Sequence, residues 1–308
     1  MSLWLAVLVG CTHHIAEEPG LAPAPPVAPV PGLVVCWVET ATGNLPKGLV
    51  VAHHALGDDV VSTQGGLLIV HPTGGAWLVD GGMSVDHLAH LDEVRGLTKA
   101  LMRSSAKDWA RRATLADAVR AFGVAPASLA GAVVTHGHYD HLGGLTDLPE
   151  LPIFVGAEEV ALATKASVGD DFTLLPEEAR ALLPRARAIA FDDGPAGPWT
   201  SSWDLFGDGA VRVVPMPGHT PGSVGVWVTL ADGRQLIDVG DTVWVREGFE
   251  QREPKAWPAT MFDSDADATD VQIARLWALH QANSALTILP AHDRRQWEGA
   301  FSTGPCVR

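Results

Sequence analysis

Short runs of apolar, β-branched residues alternate along this chain with stretches whose apolar positions recur every three or four residues, and turn-forming residues separate the two. Leu67-Leu68-Ile69-Val70 and Ala76-Trp77-Leu78-Val79 flank Pro72-Thr73-Gly74-Gly75, which predicts a hairpin. Leu88, Leu91, Val94, Leu97 and Leu101 lie at helical spacing and predict one helix over residues 85–103, and Thr114 opens a second that stops near Gly123. Further helices are expected over 157–165, 176–183 and 268–283. Strands are expected over 34–38, 132–134, 152–155, 187–191, 211–214, 236–238 and 286–289. Such alternation argues for an α/β domain rather than an all-β one. Residues 192–209, rich in Gly, Pro, Trp and Asp, read as a surface loop, and no internal repeat or second catalytic domain is evident.

With 308 residues and 47% hydrophobic content, the chain can bury one substantial core. A formal charge of -15, with 21 Lys and Arg scattered among 36 Asp and Glu, argues against a nucleic acid as partner, because a polyanion needs a basic stripe.

Several of the predicted strands end on residues that bind metals. Ala132-Val133-Val134 runs into Thr135-His136-Gly137-His138-Tyr139-Asp140-His141, and Leu142-Gly143-Gly144-Leu145 reads as a tight turn beyond it. His136 and His138 can point one way while Asp140 and His141 converge from another, so one segment could serve two neighbouring ions. Residues 211–214 lead into Pro217-Gly218-His219-Thr220-Pro221, residues 236–238 into Gly240-Asp241-Thr242, and residues 286–289 into Pro290-Ala291-His292-Asp293. Asp241 is a hard anionic ligand of a kind that can bridge two divalent cations.

The order His136-x-His138-x-Asp140-His141, then His219, Asp241 and His292, resembles the signature of the metallo-β-lactamase fold superfamily, and Trp77-Leu78-Val79-Asp80-Gly81-Gly82 is similar to its opening strand and turn. The resemblance covers roughly residues 33 to 298. It implies a four-layer αββα sandwich with a dinuclear centre at one edge. His136, His138 and His219 would hold one ion, Asp140, His141 and His292 the other, and Asp241 would bridge. Zinc is the expected metal, two ions per chain, with iron or manganese as alternatives. Two such ions, about 3.5 to 4 Å apart, can hold a hydroxide between them at neutral pH, so hydrolysis is the expected reaction. Asp140 is the candidate catalytic residue, orienting that hydroxide and passing a proton to the leaving group.

The substrate class follows less directly. Asp241 in a Gly-Asp-Thr context departs from true β-lactamases, which use Cys or Ser near that place. Lactonases that open acyl-homoserine lactones share the Asp bridge and a pair like His292-Asp293, but tend to use a tyrosine after the third motif, and this chain has none there. Glyoxalase-type thioesterases share the metal set, yet their basic tail is not evident after His292. A small ester, lactone or related molecule is the expected substrate. A non-catalytic metal-binding envelope lipoprotein and a mononuclear iron oxygenase of the same fold are the alternatives. Tyr139, the single tyrosine, either contacts the site or packs beneath the metal loop. Trp199, Trp203, Trp244 and Trp257 could line an apolar pocket.

At the N-terminus an apolar stretch too short to span a bilayer ends in Leu8-Val9-Gly10-Cys11, which resembles a bacterial lipobox, although no Lys or Arg precedes it. The expected organisation is a lipoprotein-type signal over residues 1–11, a proline-rich tether over 12–32 and the catalytic domain over 33–308. Lipid on Cys11 would anchor the protein to a membrane of the bacterial cell envelope, at the periplasmic or outer-surface face. Cys36 and Cys306 then remain, either as a bridge clamping both ends of the domain or as two idle thiols.

Overall fold

The hydrophobic runs assemble into two sheets. In the computed structural model, residues 14–17, 27–94, 99, 103, 109–111, 113–168 and 174–308 are described. Strands β1 (Val34–Pro46), β2 (Asp59–His71) and β3 (Gly75–Val79) form an antiparallel meander, with β4 (Ala110–Arg111) pairing on β1. Strands β5 (Leu129–Val133), β6 (Ile153–Val155) and β7 (Ala186–Ala188) continue that sheet in parallel from β3. The second sheet runs β12-β11-β10-β9-β8, from β8 (Trp203–Asp204), β9 (Val211–Pro215), β10 (Val224–Thr229), β11 (Gln235–Asp238) and β12 (Leu286–Leu289). Only its β11–β12 pair is parallel.

Alternation along the strands sorts side chains into layers. Leu67, Ile69, Val211, Val213 and Leu236 meet between the sheets. Leu68 and Leu78 face the opposite way, onto Leu115 and Val119 of the helix Leu115–Ala121 and Ala179 and Leu182 of Pro176–Leu182. Val214 and Ile237 likewise face Ile273, Leu276 and Leu279 of Ala266–Ala282. The order is therefore helix, sheet, sheet, helix, as the pattern of short runs and amphipathic stretches predicts. Thr114 caps its helix by accepting from Asp117 N at 3.1 Å.

Three expectations need correction. The helix over 85–103 is interrupted: His87–His90 is helical, and Val94 is already extended (ψ 140°), as His90 and Leu91 turn inward onto the helix Pro176–Leu182 and its preceding residue Leu175. Its Leu97 and Leu101 lie outside the described residues. Residues 142–145 continue a helical turn, Tyr139–Leu142 followed by Gly143–Asp147, instead of making a tight turn. The 192–209 segment is not merely surface, because Ala196 and Trp199 are buried and β8 pairs with β9. In the stretch read from sequence as a tether, Ile15 is buried against the outer face of the second sheet. Burying such a side chain contributes about 1.5–3 kcal/mol, enough to dock that stretch locally.

A further strand, β13 (Cys306–Val307), pairs with β1, and Cys36 and Cys306 face each other in register and form a disulfide. The bridge closes a separation of 270 residues. Cys11 and the signal over residues 1–11 lie outside the described residues. Among the described residues no helix is long and apolar enough to cross a membrane.

Candidate metal centre

Strands β3, β5, β9, β11 and β12 all deliver their carboxyl ends to one edge of the sandwich, and each is followed there by a polar residue of the centre. His136 and His138 follow β5, His219 follows β9, Asp241 follows β11 and His292 follows β12. Backbone bonds tie these loops together: Val224 N donates to Thr135 O at 2.8 Å across the two sheets, and Ala291 N donates to Gly240 O at 3.2 Å within the second. Gly144 lets the metal loop approach residues 81–82, since a Cβ there would lie 2.1 Å from Gly81 O.

The seven predicted ligands come together in two groups, His136, His138, His219 and Asp241 in one and Asp140, His141 and His292 in the other. Asp241 divides its oxygens between them. Oδ2 lies 3.4 Å from His219 Nε2 and 3.8 Å from His136 Nε2, whereas Oδ1 lies 3.0 Å from His292 Nε2 and 3.2 Å from His141 Nε2. Asp140 Oδ2 is 3.6 Å from His292 Nε2, and His138 Nδ1 is 3.0 Å from His219 Nε2. Donors about 2.0–2.1 Å from a tetrahedral zinc stand roughly 3.4 Å from one another, so these spacings suit metal ligation. Among the described residues the buried Nε2 atoms of His136 and His141 and Oδ1 of Asp241 have no hydrogen-bond partner, which fits donors directed at a cation.

Electrostatics prepare Asp241, His136 and His138 for ligation, whereas, despite burial, the carboxylates Asp80 and Asp241 hold His141, and Asp241 and Asp140 hold His292, above the usual imidazole value. Burial pushes the Asp241 carboxyl up, but His292 and His141 outweigh it and hold the group well below its ordinary value, hence anionic. Burial, reinforced by the neighbouring imidazoles, drives His136 and His138 well below the usual imidazole value, which keeps them neutral. Asp238, at the end of β11, is pushed up to about 8 by burial and by Asp80, so it adds no second anion at neutral pH.

Supporting residues hold the ligands in place. Asp80, in the left-handed region (φ 57°), accepts from Thr135 N and Oγ1 at 2.7 Å each and lies 2.7 Å from His141 Nδ1. Asp263 Oδ1 lies 2.7 Å from His219 Nδ1. Gln64 Nε2 and Thr63 O stand 3.2 and 3.4 Å from His292 Nδ1. Buried Glu159, from the helix Ala157–Ser167, accepts from Gly137 N (2.7 Å) on one oxygen and from Thr220 Oγ1 (2.6 Å) and Gly222 N (2.9 Å) on the other. It joins the His136–His138 loop to the His219 loop.

Glu159 and Asp263, and Lys255, whose Nζ meets Asp263 Oδ1 behind His219, were not legible as site residues. Gly137 and Gly222 carried the one available signal, because a Cβ at either would crowd the Glu159 carboxylate, at 2.6 and 2.8 Å. Tyr139 stacks on His87 with centroids 4.6 Å apart and packs against Leu91 and Leu175, so it takes the packing role. Trp244, three residues beyond Asp241, stands edge-on to His292 (5.4 Å) and His219 (6.5 Å). Trp257 is 75% exposed, whereas Trp199 is in the core and Trp203 packs on Trp77 and Phe154 away from the metal ligands.

Comparison with known proteins agrees with this geometry. Residues 66–286 match the profile described as the Metallo-beta-lactamase superfamily. A protein named "Probable metallo-hydrolase" from Mycobacterium tuberculosis (strain ATCC 25618 / H37Rv) is 29% identical over 197 residues, which cover 60% of this chain and 59% of that protein. The chain thus spans about three fifths of that relative's length. The N-acyl homoserine lactonase AttM of Rhizobium radiobacter is 25% identical over 237 residues, 75% of this chain and 81% of AttM. A solved N-acyl homoserine lactone hydrolase with N-hexanoyl-L-homoserine at its catalytic metal centre superposes with a TM-score of 0.63 at 19% identity, covering 88% of this chain and 96% of that one.

Proposed function

The chain belongs to the metallo-β-lactamase superfamily, and we propose that it is a dinuclear metal-dependent hydrolase acting on a small ester, most specifically a lactone. The observation that carries this reading is the division of Asp241, whose two oxygens face two separate groups of imidazoles. A binding protein has no need of two adjacent half-sites with a shared carboxylate. The lactone preference is supported by the lactonase relatives together with the Gly-Asp-Thr context of Asp241.

In this reading His136, His138 and His219 hold one divalent ion, Asp140, His141 and His292 hold the other, and Asp241 bridges. Zinc suits nitrogen and carboxylate donors at these spacings. The two ions would supply Lewis acidity at the substrate carbonyl and a water acidic enough to attack it at neutral pH. The chain's own residues do the rest. Asp140, half-buried and 3.6 Å from His292, holds the proton taken from the attacking water and returns it to the leaving alcohol. Asp80 and Asp263 fix the tautomers of His141 and His219 so that each presents a bare Nε2. Trp244 forms an apolar wall above both half-sites and excludes water from one side. We further propose that lipid on Cys11 holds the protein at an envelope membrane; a palmitate label retained by wild type and lost in Cys11→Ala supports this, and label on both or neither overturns it.

Elemental analysis combined with a lactone, ester, thioester and β-lactam panel tests the main proposal. Two zinc equivalents and lactone or ester hydrolysis abolished by chelation are expected. A single equivalent of redox-active iron would instead indicate the oxygenase, and two ions without turnover of any of the panel would indicate a binding protein.

A further inference from the structure

Two imidazoles of the centre are backed by carboxylates, and the two carboxylates are held differently. Asp80, behind His141, is fixed by the neutral donors Thr135 N and Thr135 Oγ1. Asp263, behind His219, is fixed by an ammonium: Lys255 Nζ lies 2.5 Å from the same Oδ1 that meets His219 Nδ1. The ammonium itself is 3.2 Å from His219 Nδ1 and 5.7 Å from the centre of the Trp244 ring. All three groups are withdrawn from water, with side-chain exposures of 3% for Lys255, 1% for Asp263 and 0% for His219. Lys255 sits in the stretch between the helices Arg246–Glu250 and Trp257–Thr260, so the fold brings a cation directly behind the carboxylate that backs His219, whereas the described partners of Asp80 behind His141 are neutral or imidazole groups.

A carboxylate that accepts from the Nδ1–H of a ligating histidine raises the electron density at Nε2 and strengthens the metal bond. A cation paired with that carboxylate on the same oxygen draws the density back, and its charge, poorly screened in a buried site, opposes a second cation close by. His219 is thereby a weaker donor than His141. We propose that Lys255 is a positioning residue that loosens the half-site of His136, His138, His219 and Asp241, leaving its ion more weakly held and a stronger Lewis acid than the Asp263–His219 pair alone would allow. This rests on the reading of the two groups as metal half-sites.

The test is the zinc affinity of each site, measured by chelator competition and followed by native mass spectrometry on the full chain. Lys255→Met should tighten one of the two equivalents about 10- to 100-fold, the range over which outer partners of a ligating histidine act, and leave the other nearly unchanged. Lys255→Arg, which keeps the charge, should bind both ions as wild type does. A merely structural role cannot produce this result, because loss of packing loosens a site and does not tighten it. If Lys255→Met fails to fold, Asp263→Asn is compared with the double variant Lys255→Met/Asp263→Asn, where removal of the ammonium should again tighten one site at least tenfold. Unchanged or weaker binding on removing Lys255 overturns the proposal. A wild-type protein that holds fewer than two zinc ions overturns the metal reading itself, and the two failures are thus distinguishable.

Discussion

Replacement of Glu159 by Gln should separate metal binding from folding. The carboxylate is 2% exposed and accepts three hydrogen bonds, two of them from backbone N–H groups, Gly137 between His136 and His138 and Gly222 three residues beyond His219. Whichever way the amide turns, its NH2 must face at least one of those donors, which leaves a buried N–H unpaired at a cost of about 1–3 kcal/mol. Against this, burial holds the Glu159 carboxyl above its ordinary value despite bonds from Thr220, Gly137 and Gly222, so a neutral side chain recovers part of the desolvation cost. The stability of the metal-free domain should therefore change by no more than about 1–2 kcal/mol. Zinc affinity should fall about 10- to 100-fold, because the two ligand loops lose their common tie. A 100-fold loss removes up to about 2.7 kcal/mol of zinc-linked stabilisation, or roughly 5–10 °C in the shift of Tm between chelated and zinc-loaded protein. Thermal melts in both states and a chelator titration measure each quantity. Gly137→Ala, whose Cβ would meet Glu159 Oε2 at 2.6 Å, should show the same signature. Wild-type zinc affinity in both variants would refute the role given to Glu159.

Other perturbations give equally direct tests. Asp241→Asn should abolish binding of the ion pair and lower kcat/KM at least 100-fold while the chelated protein stays folded but melts below wild type, because His141 and His292 lose the buried carboxylate paired with them; retained turnover sinks the bridging assignment. Glu178, held at about 7 by burial, and His90, raised by its bond to Glu178, both have folded values above their unfolded ones. Their contribution is fully present at acid pH and is lost as pH rises, for Glu178 between about 4.5 and 7, so the stability advantage of chelated wild type over Glu178→Gln should shrink by up to about 3 kcal/mol from pH 5 to pH 8, read as a falling difference in Tm. An advantage that grows with pH would contradict this. Cys306→Ser should cost about 2–5 kcal/mol, since a bridge across 270 residues lies at the high end of loop-closure entropy, and reductant should bring wild type to the same Tm.

The layers and the clustering of the candidate ligands were legible because both rest on a local pattern. A buried strand announces itself in four to six consecutive apolar residues, and the His136–His141 segment packs its donors into six positions directly behind one. What could not be read depends on tertiary approach. Glu159 lies on an ordinary amphipathic helix, and only the fold brings it to Gly137 and Gly222. Asp263 and Lys255 lie in a segment with no periodicity to interpret. The helical spacing of Leu88, Leu91 and Val94 was genuine, but the bond from His90 to buried Glu178 and the packing of Leu91 on Leu175 turn the chain at Val94. Ile15 is the opposite case, an apolar residue in a proline-rich stretch without periodicity that finds a place on the second sheet.

The Cys36–Cys306 bridge also decides how the molecule carries mechanical load. Tension applied through the residues before Val34 and after Val307 passes along a covalent path from Cys36 directly to Cys306. The 270-residue separation between them, roughly 900 Å if drawn out, is removed from the line of force and cannot be unravelled from its ends. The metal loops all fall within that span, so a pull on either flank reaches them only after the sulfur bond is cut.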